Sequence, residues 1–266
     1  MKIAVCIKQV PDSFAQKKLV GGVIDRGGVE SVINSLDEFA IEEALQIAER
    51  FGGHGPDTPN TITLISMGTT KVAETLRKAL TMGGDDAILV SDPALAQSDS
   101  RVTARVLSKV IGIGNYDLVF CGTESTDARM SVIPAMLAAE LGWAQLTFAN
   151  KVQIDLDRNL IQIQRVTERS VDQMSAAFPA IVSVVERINE PRYPSFKDIM
   201  AAKKKNITTL DLRSIGLESE SVGLKGSLSY VNKSEPVSAK KHGVKFVDDG
   251  TAGRIILNFL REKRLI

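Results

Sequence analysis

Thr61-Ile-Thr-Leu-Ile-Ser-Met67, Lys71-Val-Ala-Glu-Thr-Leu-Arg-Lys-Ala-Leu-Thr81 and Ala87-Ile-Leu-Val-Ser91 follow one another with only short connections, and together they decide the fold. The outer two segments are apolar runs of strand length, and the middle one is a helix that ends at Gly83-Gly84. A strand that is apolar on both faces must be covered on both sides, which is the condition of a parallel sheet with helical crossovers.

The same alternation continues in both directions. Upstream, Lys2–Val10 reads as a buried first strand ending at Pro11, followed by a long loop or small hairpin through Gly21-Gly22 and Gly27-Gly28. A helix then starts near Ser35, where Ser35 and Glu38 have capping-box spacing. Ala40, Ile41, Ala44, Leu45 and Ala48 keep helical period up to Gly52-Gly53. Downstream come a helix over Asp99–Val110, a strand over Asp117–Cys121, the polar segment Gly122–Asp127, a helix from about Ser131 to Leu141 and an extended segment at Ala144–Asn150. The pattern predicts an α/β fold with a doubly wound, mostly parallel sheet.

From Lys151 the period changes to two. Val152, Ile154, Leu156 and then Leu160, Ile161 and Ile163 flank Asp157-Arg158-Asn159, which predicts an antiparallel hairpin. Phe178–Val185 reads as another buried strand, a candidate to return to the main sheet. Residues 1–205 therefore form the α/β domain. Residues 206–266 are polar and broken until Arg254–Leu260, and are expected to form an extended C-terminal arm that wraps another surface.

The chain has 266 residues and a net charge of +1, with basic and acidic residues interspersed, which argues against a nucleic-acid partner. No apolar run reaches bilayer-spanning length and Met1–Ile7 lacks a signal-peptide plan, so a cytoplasmic protein without membrane insertion is expected. Cys6 and Cys121 sit in apolar strand runs and are expected to be reduced, buried thiols. His54 and His242 read as solvated loop residues. With no GxSxG, no HExxH and no nucleophile beside an evident base, a binding or carrier role fits better than an enzyme.

In a doubly wound sheet the ligand crevice lies at the carboxyl ends of the strands, where the strand order reverses. If the first and fourth strands are neighbours, Cys6–Gln9 and Gly122-Thr-Glu-Ser-Thr-Asp127 line that crevice. Gly122 permits close backbone approach, Ser125 and Thr126 offer hydroxyls, and the following helix offers amides suited to phosphate. The same composition also suits an ordinary turn and helix cap.

A second segment has no core explanation. In Arg187–Lys205, Pro191 and Pro194 stiffen an exposed loop carrying Tyr193 and Phe196. Ser195 then caps a short helix ending in Lys203, Lys204 and Lys205, where positive charge suits the helix dipole. This reads as a docking element for another protein.

Taken together these residues resemble the beta subunit of electron-transfer flavoprotein, a heterodimeric carrier of electrons from acyl-CoA and related dehydrogenases. The resemblance runs through Lys8-Gln-Val-Pro-Asp12, Glu42-Glu-Ala44, Glu74-Thr-Leu-Arg-Lys-Ala-Leu-Thr-Met-Gly83 and Leu141-Gly-Trp143. It is most specific at Asn189-Glu-Pro-Arg-Tyr193 with Ile199-Met-Ala-Ala-Lys-Lys-Lys205.

The resemblance implies a Rossmann-like domain of the adenine-nucleotide alpha-hydrolase type, an alpha-subunit partner holding most of the redox FAD, and a structural AMP in this subunit. By position it implies nucleotide contacts at Cys6, Asn34, Ser35, Leu36, Asp37 and Met67, and along Gly122, Thr123, Glu124, Ser125, Thr126, Asp127, Ala128, Arg129, Met130, Ser131, Val132 and Ile133. The loop after Pro11 and Leu36 would face the flavin. Docking to flavoprotein dehydrogenases falls on Glu190, Pro191, Arg192, Tyr193, Pro194, Ser195, Phe196, Ile199 and Met200, with Phe196 as anchor where the family commonly has Leu. Electrons would pass on to a quinone-linked or other acceptor.

Two stretches depart from the family pattern. Asp127-Ala-Arg-Met-Ser-Val-Ile-Pro134 lacks the usual Gly or Gln and adds Arg129 and Met130, which either crowd a phosphate or supply it a charge-assisted contact. Glu168-Arg-Ser-Val-Asp172 replaces the usual acid and Gly-Gly pattern, as in an outlying member. A bifurcating member with a second FAD ranks below the ordinary carrier, because the Asp127 loop lacks small residues. A stand-alone nucleotide-binding or hydrolase protein on the same fold, and a purely structural scaffold, are the other readings.

Overall fold

The computed structural model describes residues 1–15, 18–235, 243 and 245–266. His242 lies outside the described residues. The chain divides into a compact unit, Met1–Asn232, and a second unit, Lys233–Ile266.

The main sheet of the first unit has nine strands: β1 (Lys2–Cys6), β2 (Thr61–Met67), β3 (Asp86–Val90), β4 (Leu118–Gly122), β5 (Ala144–Asp155), β6 (Leu160–Val166), β7 (Val171–Ala177), β8 (Ala180–Val184) and β9 (Ile207–Leu210). Their spatial order is β7-β6-β5-β8-β4-β1-β2-β3-β9. The six strands from β8 to β9 pair in parallel, as do β8 and β5, while β5, β6 and β7 form an antiparallel meander. The expected neighbourhood of the first and fourth strands is present, with Ile3 opposite Leu118 and Cys6 opposite Cys121.

Alternation along each strand divides the core between two faces. Ile3 and Val5 of β1 with Leu118 and Phe120 of β4 pack under helices α1 (Ser35–Arg50) and α2 (Val72–Leu80). Ala4, Val119 and Cys121 face helices α3 (Ser100–Gly114) and α4 (Ile133–Leu141). Both faces are covered, which explains why Ile3–Cys6 and Leu118–Gly122 carry apolar residues on both faces. A fifth helix, α5 (Phe196–Ala202), follows β8 in the chain and inserts Ala202 into the first of these cores.

Four local expectations are revised. Ser35 does not cap α1: it is the first helical residue and is exposed, while Asn34 occupies the cap position with its side chain engaged elsewhere. The extended segment at Ala144 and the first hairpin arm are one strand, β5, interrupted by a bulge where Phe148 has φ 62° and its amide donates to Ser183 Oγ at 2.9 Å. The polar edge strand β7 was not anticipated, because Asp172, Gln173 and Ser175 leave it little apolar pattern. The compact unit also extends past residue 205: β9 joins the sheet edge, and Leu212, Ile215 and Val222 pack into the core under α3.

The second unit contains a helix over Ala252–Glu262, whose Ile256, Leu257 and Phe259 are exposed. Among the described residues no helix is long and apolar enough to cross a membrane.

Candidate functional site

β1 and β4 end side by side where the topology puts the crevice, and Lys8 ties the loops that leave them together there. The floor is set by Gly122. A Cβ there would lie 2.5 Å from Asp37 Oδ1 and 2.8 Å from the Leu36 carbonyl carbon. The glycine is therefore required by the first turn of α1, which presses onto the end of β4. The close approach expected of a ligand is made instead by Leu36 and Asp37.

Asn34 joins the two sides. Its Nδ2 donates to Asp37 Oδ1 at 2.8 Å and to the Glu124 carbonyl at 2.9 Å, and its Oδ1 accepts from the Thr126 amide at 3.1 Å. Asn34 is buried, as is its bond to Asp37, which strengthens that bond, while the two bonds to the loop are partly buried. This is why its side chain does not cap the helix on which it stands.

Asp37 is also buried, with Oδ2 accepting from the Lys8 amide at 2.7 Å. Burial pushes its carboxyl up to about 7; the bonds from Asn34 and from the Lys8 and Gly122 amides and the Lys8 charge oppose that rise without cancelling it. The folded state therefore holds a proton that the unfolded chain has released. The contribution of Asp37 to stability is complete below the unfolded value of 3.8, falls as pH rises toward about 7 and is flat above that. Its slope cannot exceed about 1.4 kcal/mol per pH unit for one proton. Urea unfolding at a series of pH values should show this limb in the wild type and lose it in Asp37→Asn.

Asp127 behaves in the opposite way. Its Oδ1 accepts from Lys8 Nζ at 2.7 Å and its Oδ2 from Arg26 Nη2 at 2.7 Å and Nε at 3.0 Å. Burial works against the charge, but the Lys8 and Arg26 bonds prevail and hold the carboxyl down at about 2. Its stabilising effect is present above the ordinary value of 3.8 and is lost as pH falls toward about 2. Lys8 Nζ also donates to Ser125 Oγ at 2.9 Å. Lys8 and Arg26 keep about half of their side chains in solvent, so one carboxylate is shared by two reachable cations.

The remaining candidates fall around this centre. Cys6 ends β1 and Met67 ends β2 at the same sheet edge. Thr123 Oγ1 donates to the Val184 carbonyl at 2.6 Å, and Ser131 Oγ donates to Glu124 Oε2 at 3.0 Å. Arg129 and Ser131 adopt left-handed backbone, with φ 49° and 56°, and Ala128, Arg129 and Met130 are exposed. Met130 Sδ lies 3.9 Å from Ser100 Oγ. Val132 and Ile133 lead into α4, where Pro134 occupies the first turn. Ser35 stands apart, exposed on the outer side of α1.

Both cysteines are free: Cys121 is buried and Cys6 is partly so. The hydrogen bond to Cys6 and burial push the Cys121 thiol well up. Iodoacetamide should accordingly leave Cys121 unmodified at neutral pH, as peptide mass mapping would show. His54 is not a freely solvated residue. Its Nδ1 lies 2.8 Å from Asp85 Oδ1, and Asp85 in turn accepts from the Ile62 amide.

Lys8 falls within the expected Cys6–Gln9 lining and the Lys8–Asp12 motif, but Arg26 was not among the expected residues. Arg26 sits in a Gly-rich loop 101 residues from Asp127, and nothing local announces the pairing.

The segment from Asn189 to Lys205 forms a second feature, away from the crevice. Ser195 caps α5 as expected, with Ser195 Oγ accepting from the Asp198 amide and the Asp198 carboxylate accepting from the Ser195 amide. Tyr193 is 97% exposed and Phe196 80%, while Ile199 and Met200 are also on the surface. Glu190 is exposed and Pro191 and Pro194 are partly so. Arg192 instead turns back onto α1. The lysine run also divides, since Lys205 Nζ donates to the Gly84 carbonyl at 2.6 Å beyond the end of α2.

The family description for the electron transfer flavoprotein domain matches residues 21–214. The chain is 41% identical over 267 residues to electron transfer flavoprotein subunit beta of Mycobacterium bovis, covering 99% of both chains. It is 34% identical over 242 residues to the subunit beta of Megasphaera elsdenii, covering 88% of this chain and 86% of the relative. Protein FixA of Azotobacter vinelandii is 36% identical over 241 residues, covering 88% of this chain and 83% of the relative. With the Rossmann-like sheet, the crevice where β1 meets β4 and a match running the length of the sequence, the chain belongs to the electron transfer flavoprotein family, among its beta subunits.

Proposed function

We propose that this chain pairs with an alpha subunit to form a cytoplasmic heterodimeric electron carrier. The carrier takes electrons from acyl-CoA or related flavoprotein dehydrogenases, as in fatty acid β-oxidation, and delivers them to a quinone-linked or other acceptor. The chemistry is that of an FAD held mainly by the alpha subunit; this chain supplies binding surfaces and no catalytic residues of its own. Of the C-terminal arm, the part beyond the compact unit, residues 233–266, would wrap that partner. Its helix Ala252–Glu262 carries an apolar side that suits such a role.

The crevice is the proposed AMP site. The observation that carries this reading is the shared carboxylate: Lys8 and Arg26 meet Asp127 at the carboxyl ends of the strands, leaving a net positive charge within reach of solvent. That charge suits a nucleotide phosphate. Gly122 offers a ligand no room, so contacts would come from Ser125, Thr126 and the Ala128–Ser131 turn rather than from the strand end.

Coexpression with an alpha subunit tests the proposal. The copurified complex should show flavin absorbance, the isolated chain should be colourless or nearly so, and acid release should yield AMP. Stoichiometric FAD on the isolated chain would favour the bifurcating reading. Failure to form any stable flavin complex would overturn the heterodimer.

Phe196 is the proposed docking anchor. Phe196→Ala should raise KM for the carrier with its dehydrogenase by about 30-fold, since removing a central aromatic costs about 2 kcal/mol. Flavin content per complex should stay unchanged, because Phe196 lies outside the core. Loss of flavin in this variant would instead assign Phe196 a structural role.

A further inference from the structure

We propose that Arg192 positions the docking loop from within and does not touch the dehydrogenase, the acidic face of α1 serving as its internal counterpart. This rests on the reading of residues 190–200 as the docking loop.

Arg192 is the cation between the two prolines of that loop, so a direct contact with an acidic partner is its obvious use. The geometry points elsewhere. Nε donates to Glu42 Oε2 at 2.7 Å and Nη2 to Glu42 Oε1 at 3.0 Å, while Nη1 and Nη2 donate to Glu49 Oε1 and Oε2 at 2.6 and 3.1 Å. Two carboxylates on successive heptad positions of α1 thus take both edges of the guanidinium. The Arg192 amide adds a bond to Glu42 Oε2 at 3.2 Å. With both edges committed, Arg192 has no two-toothed face left to offer a partner carboxylate.

Glu42 is nearly inaccessible, its side chain 4% exposed, and Gln46 Nε2 donates to it at 2.8 Å. A buried carboxylate so placed needs its cation. Asn189 repeats the arrangement one step earlier in the loop, donating from Nδ2 to the Phe39 carbonyl and Glu43 Oε2, each at 3.1 Å.

The far end of the segment is held by α2. Arg77 Nη1 donates to the Ala202 carbonyl at 2.6 Å and also to the Lys205 carbonyl, and Lys205 reaches the Gly84 carbonyl. The loop is therefore pinned to α1 at Asn189 and Arg192 and to α2 at Ala202 and Lys205. Between those points Tyr193 and Phe196 project into solvent. Two prolines and the anchors at either end take away most of the freedom that binding would otherwise have to remove, so docking starts from an ordered loop.

The test uses the intact two-subunit complex and a purified acyl-CoA dehydrogenase, with initial rates measured against complex concentration. Arg192→Lys and Glu42→Gln should each raise KM about tenfold at unchanged kcat, because an ammonium lacks the planar fork that grips both carboxylates with two bonds each, and an amide in place of Glu42 offers the guanidinium one acceptor oxygen and no charge. The double variant should be no worse than the poorer single one, and flavin content should match the wild type. The salt dependence of KM should also be that of the wild type in Arg192→Gln, which removes the charge, since that charge does not face the partner. A salt dependence weakened in Arg192→Gln, additive effects, or no change in KM would each overturn the proposal. Hydrogen exchange of the 190–200 amides in the free complex provides a readout independent of any partner. It should be faster in both variants, and unchanged exchange also overturns the proposal. A wild-type complex that accepts no electrons while its variants show faster exchange would instead sink the docking reading of the loop.

Discussion

Gly122→Ala is expected to destabilise the protein by about 3 kcal/mol, at the upper end of the cost of inserting a methyl group into a packed site. For a chain of this size that lowers Tm by roughly 6–12 °C. The reason is what the methyl group meets. Asp37 Oδ1 at 2.5 Å can be relieved by a side-chain rotation, but the Leu36 carbonyl carbon at 2.8 Å is backbone and Leu36 Cβ lies at 2.9 Å. Relief therefore requires α1 to lift from the end of β4. That movement would strain the Lys8 amide bond to Asp37 and the Asn34 bridge together, so retention of the proposed AMP should fall with stability. Gly142→Ala is the matching control. Gly142 sits in left-handed backbone, at φ 66°, but a Cβ there meets nothing within 4 Å. Only a backbone penalty of about 1 kcal/mol applies. Thermal unfolding of the two variants side by side should separate them clearly, and equal losses would show that crowding at the crevice floor has no special weight.

The sheet was legible because its strands are buried on both faces, and such strands announce themselves as continuous apolar runs. β1, β2, β3 and β4 follow this rule, and the helices between them have recognisable ends. The elements missed are those whose burial is decided by neighbours. β7 is an edge strand with little apolar character. β9 is a four-residue edge whose partner, β3, lies more than a hundred residues away. The bulge at Phe148 is likewise set by the register with β8, and no residue pattern marks it.

The place of the proposed site followed from topology, since it needed only that β1 and β4 be neighbours, as they are. Its chemistry was read less well. Gly122 looked like room for a ligand because a glycine at a strand end has two uses, and sequence does not say whether the approaching backbone belongs to a ligand or to the protein. Ser35 looked like a cap because its spacing to Glu38 fits, but Asn34 holds the cap position while its side chain bonds to a loop 90 residues on. Arg192 reads as a docking residue because it lies among exposed ones, and only the fold shows that Glu42 and Glu49 lie beneath it. In each case a long-range partner decided the outcome.

Asn34→Ala is expected to cost nearly as much as the glycine change, about 3 kcal/mol, by a different route. The substitution removes no large apolar group and creates only a small cavity. It leaves the Thr126 amide without its acceptor, the Glu124 carbonyl without its donor, and Asp37 Oδ1 short of a bond, and each buried polar group left unmade costs about 1–3 kcal/mol. Water entering the gap would recover part of that loss at the two loop groups. Asp37 cannot be rescued so readily, because the Asn34 bond is the foremost influence opposing the effect of burial on its carboxyl. The Asp37 titration should therefore move upward in Asn34→Ala, and the falling limb of stability should extend to higher pH than in the wild type. Stability curves against pH for the wild type, Asn34→Ala and the double variant Asn34→Ala/Asp37→Asn would test this. The extended limb should appear in the single variant and vanish in the double. If instead Asn34→Ala lowers stability equally at every pH, the Asn34–Asp37 bond does not govern that carboxyl, and the cost of the substitution comes from the lost Asn34 side-chain bonds to the Glu124 carbonyl and the Thr126 amide alone.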